Sequence, residues 1–135
     1  MSANIRILLI EDDQDDIDLL MDAVKENGIH AEFEILMQGN RIISWLEESK
    51  TIPDIIVMDL NLPKMHGREV LKHIKQHYKT RLVPVLVLTT SSQPEEKQYC
   101  LQHGAGQFIT KPATTDGFAS LVETISRMAR TSVAG

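Results

Sequence analysis

Glu11, Asp12 and Asp13 directly follow the apolar run Ile7-Leu8-Leu9-Ile10, and Asp59 directly follows Ile55-Ile56-Val57-Met58. Thr89 closes Val85-Leu86-Val87-Leu88, and Thr110-Lys111-Pro112 closes Phe108-Ile109. Brought into one crevice, these side chains could hold a divalent cation and a phosphoryl group. Carboxylates are the hard oxygen ligands that Mg2+ prefers, and an aspartate can itself form an aspartyl-phosphate. A lysine ammonium and a threonine hydroxyl can then meet phosphoryl oxygens. Phosphoryl transfer asks for little beyond alignment and neutralised charge.

A parallel sheet would position them. Short continuous apolar runs suit strands buried on both faces, and ligands bind beyond the carboxyl ends of such strands. Between the runs the spacing turns helical: Ile17, Leu20, Met21 and Val24 fall at i, i+3, i+4 and i+7. Gly28 then offers the left-handed position that ends helices. Phe33-Glu34-Ile35-Leu36 reads as a less buried edge strand. Asn40 is a good N-cap for a helix packing through Ile42, Trp45 and Leu46. Pro53 marks the entry to the next strand, and the residues from Leu62 to Gly67 form a loop before a helix that turns Val70, Leu71 and Ile74 inward. Pro84 opens a fourth strand. Ser92 and Glu95 fit a capping box for a short helix ending before Gly104 and Gly106. Phe118, Leu121, Val122, Ile125 and Met128 repeat at the spacing of a last helix. Five β-α units with short right-handed connections imply an α/β, doubly wound parallel sheet.

Composition narrows the function classes. At 135 residues the chain has room for one domain, expected to span 1–135 with its core at about 5–128, and for no second effector domain. A net charge of −5 argues against nucleic acid, whose phosphates need a basic face; Arg41, Lys64 and Arg68 are scattered rather than striped. Met1 to Asn4 lead straight into a strand, so no signal peptide is expected. No apolar run approaches the ~18 residues of a membrane span. The lone Cys100 fits a reducing cytoplasm and reads as helix packing. None of the five histidines shows metal-ligand spacing, and His66, though near Asp59 in sequence, reads as part of a loop.

The segments from Ile7 to Asp13, from Asp54 to Pro63 with Gly67, from Pro84 to Thr89, and Lys111-Pro112 together resemble the receiver domain of two-component response regulators. The resemblance runs from about residue 5 to residue 128, with every segment in the expected order. Through the long segment between Gly28 and Pro53 it is most similar to the single-domain kind that follows a bacterial phytochrome kinase. It implies a flavodoxin-like fold with strand order 2-1-3-4-5. It also implies Asp59 as phosphoacceptor and Mg2+ (or Mn2+) held by the Asp12 and Asp59 carboxylates and the main-chain carbonyl of Asn61, with Glu11 acting through water. Asp13 would then lie outside the metal shell. The sequence alone does not choose between Asp12 and Asp13; the family pattern does. Thr89 and Lys111 are implied to contact the phosphoryl group, and a cis Lys111-Pro112 bond to direct the lysine stem inward. The phosphodonor histidine belongs to a partner sensor kinase.

The expected function is a phosphoacceptor signalling protein, not an enzyme beyond self-phosphorylation from small donors and autodephosphorylation. Two readings compete. A haloacid-dehalogenase-type phosphatase also uses a strand-end aspartate with Mg2+, but places a second acid where Asn61 stands and adds a cap domain. A receiver-shaped interaction module that is never phosphorylated would not need Asp12, Asp59, Thr89 and Lys111 together. Strand-end acids can also merely cap helices, and a lysine can be solvated surface. For output, a face made of the helix over 93–103, the Phe108 strand and the last helix is expected to bind a downstream protein or a second copy. Phe108 is either a rotating switch or a fixed core residue.

Overall fold

The computed structural model describes residues 4–134, with side chains through Arg130. Met1 to Ala3 and Gly135, part of the expected lead-in and of the 1–135 span, lie outside the described residues. Strands and helices alternate: β1 (Ile5–Ile10), α1 (Gln14–Glu26), β2 (Ala31–Leu36), α2 (Arg41–Glu48), β3 (Ile55–Met58), α3 (Gly67–Gln76), β4 (Val85–Thr89), α4 (Pro94–Gln102), β5 (Gln107–Thr110) and α5 (Thr115–Ala134). The five strands are parallel in the order β2-β1-β3-β4-β5, as expected for a receiver.

Strand alternation divides the core into two halves. Leu8, Ile10, Ile56, Met58, Val85 and Val87 face α2, α3 and α4. Ile7, Leu9, Ile55, Val57, Leu86 and Leu88 face α1 and α5. Helices on both faces explain why the central strands read as unbroken apolar runs rather than alternating ones. The outer strand β2 alternates instead, with Glu32 and Glu34 exposed.

Register places the strand ends level. Ile10 pairs with Leu36 on one side and Met58 on the other, Met58 pairs with Val87, and Thr89 pairs with Thr110. The ladder runs one residue past the strands: Asp59 N–H donates to Ile10 C=O at 3.0 Å, and Lys111 N–H donates to Thr89 C=O at 2.8 Å. The backbone therefore delivers Glu11, Asp59, Thr89 and Lys111 to one edge. β1 lies between β2 and β3, so the reversal of strand order, where such sheets bind ligands, falls at this acidic end.

Local caps differ from expectation at two helices. Asn40 precedes α2 as expected but has helical backbone angles and makes no side-chain capping bond. An N-cap side chain reaches the first free amides from an extended backbone, so a helical Asn cannot cap this way. The Ser92–Glu95 capping box is absent as well: the N-cap of α4 is Gln93, again without a side-chain bond, and Pro94 starts the helix. Proline removes one amide that a cap would otherwise satisfy, and its fixed φ suits the first turn. Gly28 does take the left-handed conformation after α1, with φ of +77°. No helix among the described residues is long and apolar enough to cross a membrane.

Only Cys100 of α4 is fully buried, whereas α3 buries Gly67, Val70, Leu71 and Ile74. Beyond Cys100, α4 is attached through Tyr99, which packs on the core and lies with its ring centroid 4.8 Å from the Arg68 guanidinium of α3; the Tyr99–His103 stack at 3.9 Å is internal to the end of α4. Few buried apolar contacts mean a low opening free energy. Amides of α4 are expected to exchange with deuterium well before those of α3. Exchange of α4 in step with the sheet would show it to be part of the cooperative core.

Candidate functional site

Glu11 sits beside Asp59 because their strands are paired, yet like charges this close repel. One cation offsets them. Lys111 Nζ, brought in by β5, lies 2.7 Å from Glu11 Oε1, 2.6 Å from Asp16 Oδ2 and 3.0 Å from Asp59 Oδ2. Burial opposes the lysine's charge, but hydrogen bonds to Asp16, Glu11 and Asp59 outweigh it and raise its pKa. Glu11 carries the strain of the cluster: burial, together with the charge of Asp59, pushes its carboxyl up to about 7 despite Lys111.

The β1–α1 turn sorts its three acids. Glu11 turns inward, and its Oε2 accepts from the amides of Asp12 and Asp13 at 3.0 and 3.2 Å. Asp13 caps α1, taking the amides of Asp15 and Asp16 on Oδ1 at 2.9 and 3.2 Å. Asp12 is exposed, and its carboxylate has no hydrogen-bond partner among the described residues. The side chains of Glu11, Asp12 and Asp59 can place one oxygen each within 4.8 Å of one another. These all-oxygen donors fit a hard divalent cation such as Mg2+ or Mn2+. Both Glu11 oxygens and both Asp59 oxygens already have partners in the chain, so Asp12 is the one uncommitted carboxylate of the three.

The β3–α3 loop holds Asp59 from the other side. Asp59 Oδ1 accepts from Leu60 N–H at 2.7 Å. Leu60 and Leu62 are buried, so exposed Asn61 is pinned between two apolar anchors. Gly67 closes the loop by donating its amide to Leu60 C=O at 2.8 Å. A Cβ at Gly67 would stand 2.7 Å from Asp59 O and 2.5 Å from Leu60 Cα, so only glycine allows this approach. His66, expected as plain loop, is the N-cap of α3 and accepts from Arg68 N–H through Nδ1 at 3.1 Å. Thr89 is buried at the end of β4, where its Oγ1 accepts from Ser91 N–H at 3.3 Å.

Lys111-Pro112 is trans, contrary to the cis bond expected above. Trans is favoured for an ordinary X–Pro bond by about 0.5–1 kcal/mol, and the lysine reaches all three carboxylates from it. Asp16 was not singled out by the sequence. Its only local signal is its place in the first turn of an acid-rich helix, and its partner lies 95 residues away.

Residues 7–123 match the family model of the response regulator receiver domain. The chain belongs to that family. Receiver domains are signalling proteins that histidine kinases phosphorylate and that bind a divalent metal. Response regulator Rcp1 of Synechocystis sp. is 34% identical over 124 residues, covering 88% of this chain and 84% of the relative. The crystal structure of the phosphorylated cyanobacterial phytochrome response regulator RcpA superposes with a TM-score of 0.82 at 31% identity, covering 93% of each chain. The Mn2+-bound form of response regulator Rcp1 gives 0.78 at 32% identity, covering 90% of this chain and 91% of that one. The expected likeness to phytochrome-associated receivers is thus met.

The raised Glu11 carboxyl has a pH signature. Between about 4.5 and about 7 the folded chain holds a proton that the unfolded chain has released. Stability of the metal-free receiver therefore falls as pH rises through that window, by at most about 3 kcal/mol. Urea titrations from pH 4.5 to 7.5 should show this decline, and Glu11→Gln should flatten it. Parallel curves for the two proteins would place the proton elsewhere.

Proposed function

We propose that this receiver accepts a phosphoryl group on Asp59 from a phosphohistidine of a sensor kinase, in the cytoplasm, with Mg2+ or Mn2+ bound. The observation that carries this reading is the convergence of Lys111 and the Glu11–Asp12 acids on one buried carboxylate, Asp59. An Asp59 carboxylate oxygen forms a bond to phosphorus as the phosphorus–nitrogen bond to the donor imidazole breaks. The bonding pair leaves with the imidazole nitrogen, and the product is an acyl phosphate. Lys111 supplies positive charge to a phosphoryl oxygen, and the Thr89 hydroxyl donates to another.

The metal would be held by Asp12 and Asp59, by the main-chain carbonyl of Asn61, and by Glu11 through water. Bound there, it supplies the charge neutralisation that lets a phosphoryl group approach several carboxylates. Asp13 stays outside because its Oδ1 takes two amides of the first turn of α1, which turns the side chain toward that helix.

Output follows from what Thr89 touches. Movement of its hydroxyl toward a phosphoryl group would withdraw it from Ser91, in the segment leading to α4. Phe108 is half-buried and packs on the core half beneath α4. The face made of α4, β5 and α5 then changes, and it binds a downstream protein or a second copy of the chain.

Incubation with phosphoramidate and Mg2+ should add one phosphoryl mass to the wild type. Asp59→Asn, which keeps the shape and removes the nucleophile, should add none. Labelling of another residue in that variant would sink the assignment. For the metal, Asp12→Ala should weaken Mn2+ binding far more than Asp13→Ala, whose cost falls on α1 stability at about 1 kcal/mol. Equal losses of Mn2+ affinity would contradict the assignment of Asp12.

A further inference from the structure

We propose that Asp16 is a positioning residue for Lys111, which rests on the phosphoacceptor reading above. An ammonium has three N–H donors, and Lys111 Nζ faces three carboxylates: Glu11 at 2.7 Å, Asp16 at 2.6 Å and Asp59 at 3.0 Å. Two of these are rooted in one rigid turn. Glu11 is fixed by the two amides on its Oε2, and Asp16 by the first turn of α1, where its own amide is taken by the Asp13 cap. Together they fix two donor directions. The third is left pointing across the sheet to β3 and Asp59.

A lysine carries about 2 kcal/mol of rotamer entropy on its four-carbon stem. Without Asp16 the contacts left are Glu11 and Asp59, and since the Asp59 contact is the one that changes when a phosphoryl group binds, Glu11 would be the single lasting tether. With Asp16 in place the ammonium is already aimed when a phosphoryl group arrives. Charge then moves from the Asp59 oxygen to the phosphoryl oxygens, so only the third donor has to exchange its partner. Asp16 acts through Lys111 and is not among the acids grouped for a metal. Its side chain is 33% exposed, so solvent screens the pair and the effect is modest.

Sign separates aiming from plain electrostatics. Deleting a negative charge near the site should speed attack on an anionic donor, and Asp15→Ala, in the same turn and without a contact to Lys111, is the control. Aiming predicts the reverse at Asp16. In the full chain with Mg2+ and phosphoramidate, Asp16→Ala should slow phosphorylation by about 3- to 10-fold, the range of one partly exposed charge-assisted contact. Asp16→Asn keeps an oxygen acceptor and should fall between Asp16→Ala and wild type. Asp15→Ala should match or exceed wild type.

A second readout needs neither metal nor donor. In the metal-free protein, the Lys111 ammonium should give a 1H–15N signal protected from water exchange, and Asp16→Ala should lose it. A rate at or above wild type for Asp16→Ala, an inverted order of the two Asp16 variants, or an unchanged ammonium signal would overturn the proposal. Should the wild type take no phosphate, the phosphoacceptor reading fails, and the ammonium signal still judges Asp16 by itself.

Discussion

Holding several carboxylates in a small, largely buried volume is the constraint on which this structure turns. The β1–β3 ladder forces Glu11 and Asp59 together, and the β1–α1 turn adds Asp12. Water cannot screen them well there, and one lysine does not balance them. The cost is visible in Glu11, whose carboxyl is pushed up to about 7 by burial first and by the Asp59 charge second. A further positive charge at such a site relieves the repulsion that one lysine leaves. Affinity for positive charge is thus a property of the fold rather than of any one residue.

The apolar core supplies the stability that such a site consumes. Strand residues beneath the acids, among them Ile10, Ile56 and Met58, are fully buried. Truncating one of them to alanine typically costs about 2–5 kcal/mol, as much as or more than the strain on the Glu11 carboxyl. Rigidity above the core comes from short backbone contacts: Asp59 to Ile10, Lys111 to Thr89, Gly67 to Leu60. The opposite holds at α4, where one buried cysteine and a half-buried tyrosine under Arg68 attach the helix. A rigid site next to a weakly held helix suits a signal that begins as charge and leaves as surface movement.

Much of this was legible in the sequence, for identifiable reasons. Apolar runs such as Ile55-Ile56-Val57-Met58 mark buried parallel strands, and polar residues at their carboxyl ends mark the site. The choice between Asp12 and Asp13 was not legible from residue type, because both are acids at adjacent positions. The structure separates them physically: Asp13 is committed to the α1 cap, and Asp12 is not. The Asp16–Lys111 contact could not be read at all, since pairing across 95 residues leaves no local trace. The Ser92 capping box failed because Pro94 offers a competing way to start the helix. The cis Lys111-Pro112 bond had no support in composition, and the trans form already delivers the lysine.

Repulsion among the acids of the metal-free protein is the central physical claim. Unfolding free energy in EDTA at pH 8, measured for the wild type and Asp59→Asn and repeated with excess Mg2+, tests this most directly. Removing one of the crowded charges should make the metal-free variant more stable than the wild type by about 1 kcal/mol or more, and Mg2+ should stabilise the wild type more than the variant. A variant less stable in EDTA, gaining as much from Mg2+ as the wild type, would contradict the account.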